Sequence, residues 1–88
     1  MKSKKMNRTE IEEKVRAFLT NEFEIDEDRI FDDAKLKEDM GLDSLDYVDI
    51  VAIVYQLFGF RIKIEELRDV TTLKQFCDYI EKKIKIAQ

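Results

Sequence analysis

Apolar residues recur at helical spacing near both ends of the chain. In "NRTEIEEKVRAFLTNEF", Ile11, Val15, Phe18 and Leu19 fall on one face, and Asn7 with Glu10 has the spacing of a capping box. This predicts a first helix over about residues 8–22. "TTLKQFCDYIEKKI" repeats the pattern, with Leu73, Phe76, Cys77, Ile80 and Ile84 on one face and Thr72 with Gln75 as a second capping-box pair. Residues 23–43 show no sustained period. Their acids are interrupted by isolated apolar residues, Phe23, Ile25, Ile30, Phe31, Leu36 and Met40, which predicts a long loop pinned to the core at several points.

The segment 44–58 is rich in Val, Ile and Tyr, whose intrinsic preference leans toward strand. Its polar positions arbitrate. Asp46, Asp49 and Gln56 lie within roughly 80° of one another on a helix but on both faces of a strand. Gly59 then stands where a helix C-cap glycine belongs. A central, largely covered helix is expected, with Val48 and Val51 toward the core. "FRIKI", residues 60–64, alternates like a strand but has no visible partner, so it reads as an extended connector, and "EELRD" as one short helical turn. The expected fold is all-α: a small four-helix bundle of three longer helices and one short one, with a long loop between the first two.

The length of 88 residues suits one domain, 1–88, with 1–7 and 86–88 as flexible ends. The longest uninterrupted apolar run, Ile50 to Tyr55, is six residues, far short of the roughly 20 that span a bilayer. The basic "MKSKKMNR" leads into an acidic amphipathic stretch rather than an apolar signal core, so cytoplasmic residence is expected. With one cysteine and no histidine, an intrachain disulfide, the common zinc ligand sets and any Ser-His or Cys-His nucleophile pair are unavailable. No metal site is expected. The acid-rich "EIDEDRIFDDAKLKED" also lacks the alternating acids and closing glycine of a calcium loop, and Cys77 reads as a small buried hydrophobe.

Charge is distributed unevenly. The overall net charge is −4, yet all 20 acids lie between Glu10 and Glu81 with only nine of the 16 bases, so that span carries nine minus 20, or −11. Residues 22–49 alone hold 12 acids against Arg29, Lys35 and Lys37. Such a field repels nucleic acid and attracts basic protein surfaces.

One serine stands in this acidic region at a helix start, in "GLDSLDYVDIV", residues 41–51. Asp43 is placed as N-cap and Asp46 at the third helical position, where both carboxylates favour the positive end of the helix dipole. Ser44 opens the first turn, near backbone N–H groups that a phosphate ester could approach. Local chemistry leaves two readings, an attachment point or simply a capped helix start. A catalytic serine is disfavoured, because no histidine can serve as base and the context is not G-x-S-x-G.

"GLDSLDYVDIV", with "FGFRI" and "DVTTLKQFCDYI" downstream, resembles the acyl carrier protein family over residues 9–85. The resemblance implies a carrier, not itself an enzyme, whose Ser44 receives 4'-phosphopantetheine from coenzyme A by a separate phosphopantetheinyl transferase and holds acyl groups as thioesters. It implies a supporting role for Asp43 in that transfer. It also implies contacts from Leu45, Asp46 and Asp49 to partner synthases, transferases or ligases, and an acyl pocket at Val54, Ile62, Leu67, Val70 and Phe76. The implied setting is fatty-acid, polyketide or related acyl assembly, by a monomer. Two alternatives stand beside it: an aminoacyl, peptidyl or D-alanyl carrier, and an interaction module whose serine stays free or is phosphorylated. The sequence departs from the family's pattern in the later turns of the second helix, where Tyr55, Gln56 and Leu57 replace what would often be acids. Lys63 likewise replaces a frequent proline.

Overall fold

Capping decides where the helices begin. In a computed structural model, which describes residues 7–87, the Asn7 side chain accepts the Glu10 N–H at 2.9 Å while the Glu10 carboxylate accepts the Asn7 N–H at 3.1 Å. The first helix, α1, therefore runs Arg8–Phe23. The same device opens the last helix, α4, Leu73–Ala87, where the Gln75 N–H donates to Thr72 Oγ1 at 3.2 Å and Gln75 Oε1 accepts the Thr72 N–H at 3.3 Å. Between them lie α2, Ser44–Phe58, and the short α3, Ile64–Arg68, with a single 3₁₀ turn at Glu27–Arg29. Asn7 thus serves as a cap and α4 continues through Ala87; the remainder of the expected loose ends, 1–6 and 88, lies outside the described residues.

The apolar faces of α1 and α4 meet as their spacing predicts. Ile11, Val15, Phe18 and Leu19 are buried with Leu73, Phe76, Cys77 and Ile80, and the Phe18 and Phe76 rings pack edge to face, 6.2 Å between centroids at 82°. Arg8 closes the polar edge of this contact. Its guanidinium reaches Asp78 at 2.6 Å and Glu81 at 2.8 Å on α4, besides Glu12 at 2.9 Å on its own helix.

The long loop is held by Ile25, Ile30, Leu36 and Met40, as its scattered apolar residues suggest, but also by Ala34 and Leu42. Phe31 is a correction: it is 48% exposed, while its neighbour Ile30 enters the core. Two backbone hydrogen bonds of 2.9 Å, Leu36 N–H to Thr71 and Leu73 N–H to Ala34, form one antiparallel bridge between Lys35 and Thr72. The loop is thereby tied to the start of α4. A lone bridge leaves no alternating stretch for the sequence to show.

On α2 the buried side chains are Tyr47, Ile50 and Val54, with Val51 half-buried. Val48 does not face the core as expected; it is 52% exposed. Apolar residues surround this helix, so the pattern alone cannot say which of them looks outward. Burial raises the Tyr47 phenol above its ordinary value, with the Glu38 charge adding to the shift. After Gly59, which takes φ +83° at the C-cap, the chain bends through Phe60, is extended at Lys63, and α3 begins at Ile64, one residue earlier than expected. The Tyr79 hydroxyl donates to Glu66, and Lys83 Nζ lies 3.3 Å from the same carboxylate, fastening α3 to α4. The Tyr79 hydrogen bond and then the Lys83 partner hold Glu66 below the usual carboxylate range.

Burial pushes the Cys77 thiol up to about 12. At pH 8 its thiolate fraction in the native protein is roughly 10⁻⁴, against roughly a quarter for a free cysteine. A thiol reagent at pH 8 should therefore label native Cys77 about 10³-fold more slowly than the urea-unfolded chain. Comparable rates in a stopped-flow assay would contradict this burial.

Candidate functional site

The site is built by the end of the long loop. Gly41 adopts φ +75°, a conformation open to glycine at little cost, and the next N–H, of Leu42, donates to the Leu36 carbonyl at 2.9 Å. Leu42 is buried, which fixes the loop end against the core and delivers Asp43 to the N-cap of α2. There the Asp43 carboxylate accepts the Asp46 N–H and the Asp46 carboxylate accepts the Asp43 N–H, each at 3.1 Å. The two acids predicted to flank the helix start form a reciprocal capping box.

Ser44 follows as the first residue of α2 and is exposed. The N–H groups of the first helical positions have no intrahelical acceptor, and the capping box uses that of Asp46 while leaving those of Ser44 and Leu45. A phosphate ester on Ser44 thus fits the space and the backbone dipole. The Asp43 and Asp46 carboxylates oppose a second negative charge, which favours keeping the phosphate outward.

Around Ser44 the surface mixes charge and exposed apolar groups. Leu45 is 77% exposed, Asp49 is exposed, and Asp46 is half-buried by its capping role. Further along the same helix, Val48 and Tyr55 border a recess of about 310 Å³, whose other walls are Val51, Ala52, Gln56 and Arg61. The Arg61 guanidinium lies 5.3 Å from the centre of the Tyr55 ring. Sequence reasoning noted Tyr55 only as a departure from an acidic helix and passed over Arg61. The signal was Gly59, whose left-handed turn folds the connector back toward α2.

The five positions expected to form an acyl pocket separate into two groups. Val54, Ile62, Leu67 and Phe76 are buried within the core, and Val70 is half-buried at a recess of about 160 Å³ shared with Lys37, Glu38, Tyr47, Arg68 and Thr71.

Residues 13–80 match the family model described as "Phosphopantetheine attachment site". The acyl carrier protein of Thermotoga maritima is 36% identical over 78 residues, 89% of this chain and 96% of that protein. The acyl carrier protein of Thermosynechococcus vestitus is 33% identical over 90% of this chain and 98% of its own length, and that of Akkermansia muciniphila 35% over 88% and 96%. The chain belongs to the acyl carrier protein family. Acyl carrier proteins bear a covalent 4'-phosphopantetheine and act as carriers for partner enzymes rather than as catalysts. The exposed serine at the α2 start and the all-helical frame agree with that membership. No helix among the described residues is long and apolar enough to cross a membrane.

Proposed function

We propose that this acyl carrier protein bears its phosphopantetheine on Ser44 and presents acyl thioesters to partner enzymes through the N-terminal half of α2. The observation that carries this reading is an exposed serine at the first position of a capped helix, inside the matched segment. In the attachment step a transferase moves the phosphopantetheine moiety from coenzyme A to Ser44 Oγ. The new O–P bond forms as the pyrophosphate P–O bond breaks, adenosine 3',5'-bisphosphate leaves, and the hydroxyl proton passes to the transferase. Asp43 holds the serine's backbone in place through the capping box, and its carboxylate edge faces the incoming transferase. The arm supplies a thiol at its far end for thioester formation.

Leu45, Asp46 and Asp49 form the proposed docking edge. An exposed leucine among carboxylates suits a basic partner surface with an apolar notch, and modest area keeps the contact brief. Asp49→Lys should raise the transferase KM for this protein by roughly tenfold with little change in kcat, because it alters electrostatic encounter more than chemistry. An unchanged KM would count against Asp49 as a docking residue. Asp46 is less clean to mutate, since its carboxylate also caps the helix. Cargo too apolar to remain in water would enter between α2 and α3, parting Val54, Ile62, Leu67, Val70 and Phe76. A monomer in the cytoplasm, supplying fatty-acid, polyketide or related assembly, is the setting this reading favours.

Acylation tests the function. The arm-bearing protein, incubated with acyl-activating enzymes and their substrates, should gain a hydroxylamine-labile acyl mass. Gain of an aminoacyl mass alone would replace the acyl reading with an aminoacyl carrier, and no thioester with any activating enzyme would contradict the carrier role.

A further inference from the structure

We propose that the recess on the exposed face of α2 is a cargo site, in which the arm on Ser44 lies along Val48, Val51 and Tyr55 and sets a short, carboxylate-ended acyl group beside Arg61. This rests on the reading that Ser44 bears the arm. Ser44, Val48, Val51 and Tyr55 are spaced by four, three and four residues along α2, so they lie within about 60° of one another at 100° per residue. The recess of about 310 Å³ therefore opens on the same face of the helix as the attachment point.

Reach agrees with this placement. From Ser44 to Tyr55 is about 16 Å along the axis at the 1.5 Å rise of a helix. An extended phosphopantetheine arm has about 14 bonds from the serine oxygen to the sulfur, or roughly 16 Å at about 3.5 Å per three bonds. Only a short acyl group then fits between the sulfur and the guanidinium.

The walls select its chemistry. Val48, Val51 and Ala52 give an apolar floor, Tyr55 an aromatic side, and Arg61 is the only cation lining the recess among the described residues. The guanidinium lies over the Tyr55 ring, 5.3 Å from its centre, and makes no side-chain hydrogen bond or ion pair among the described residues, so its donors are available, and a carboxylate is their best complement. At the other end of the same helix Asp43, Asp46 and Asp49 repel an anion, so the gradient along α2 drives a carboxylate away from Ser44 and toward Arg61. The interior offers such a group no alternative, because Val54, Ile62, Leu67 and Phe76 would bury it without a partner.

The test uses the full chain, isotope-labelled and loaded by a broad-specificity phosphopantetheinyl transferase with succinyl-CoA, butyryl-CoA or coenzyme A itself. Intact mass first verifies the addition; if none occurs, the attachment reading and this proposal fall together. With the arm in place, the succinyl form should shift the Val48, Val51 and Ala52 methyl signals and the Tyr55 ring relative to the unacylated arm. Its shift at Arg61 Nε–H should exceed that of the butyryl form, because only the succinyl carboxylate can accept a charge-assisted hydrogen bond there. Arg61→Gln should erase the difference between the two acyl groups at Tyr55 while leaving the core signals of Ile11 and Leu67 in place. Equal succinyl and butyryl shifts at Arg61, or shifts centred on Val54, Ile62, Leu67 and Phe76, would overturn the proposal. Shifts confined to the neighbours of Ser44 would overturn it too, and leave the recess to a partner's side chain. None of these last three results would touch the attachment reading.

Discussion

Phe76→Ala should lower the unfolding free energy by about 3–5 kcal/mol, the usual range for removing a buried phenylalanine. Phe76 is 2% exposed and its ring meets the edge-to-face partner Phe18, so truncation opens a cavity where α1 and α4 join. At about 0.05–0.15 kcal/mol per residue a domain of 88 residues is held by about 4–13 kcal/mol, so the loss removes a large share of its stability. Phe76→Leu, which retains most of the volume, should cost under about 1.5 kcal/mol. Urea denaturation of both variants measures the two values. A cost below about 1 kcal/mol for Phe76→Ala would mean that the ring borders space already present, as the wall of an open acyl pocket would. The large cost is expected because this part of the interior is filled.

The same filled interior explains what the sequence could and could not reveal. α1 and α4 were legible because each buries one stripe and leaves the rest polar, and because Asn7–Glu10 and Thr72–Gln75 announce their starts. The start and end of α2 were legible for the same reason, from Asp43 and Gly59. Its orientation was not. With apolar residues at positions 47, 48, 50, 51, 53 and 54, the choice of Tyr47 over Val48 for the core depends on what packs against the helix. The long loop has no period to read, so Ala34 and Leu42 as anchors and Phe31 as an exposed ring follow only from tertiary packing. Site chemistry followed a similar division. Ser44 and its two acids sit in consecutive sequence and could be picked out there, whereas Arg61 reaches Tyr55 only after the chain reverses at Gly59.

Ser44→Ala should abolish the acceptance of phosphopantetheine outright, since no other residue supplies an exposed hydroxyl at this helix start. The fold should persist: the Asp43–Asp46 capping box does not involve the serine side chain, and alanine is a good helix former at an exposed position. Circular dichroism and the urea midpoint should remain close to those of the parent protein, separating loss of the hydroxyl from loss of structure. Asp43→Ala is the informative contrast. It removes the N-cap at a cost of about 0.5–2 kcal/mol and should slow modification without preventing it, because the hydroxyl remains. An interaction module with a free or phosphorylated serine would share this surface but would not take up the arm. Intact mass after incubation with coenzyme A and a phosphopantetheinyl transferase separates the two most directly. The account predicts one phosphopantetheine increment on the parent protein and none on Ser44→Ala; an unmodified parent protein, or an increment that survives in Ser44→Ala, would contradict it.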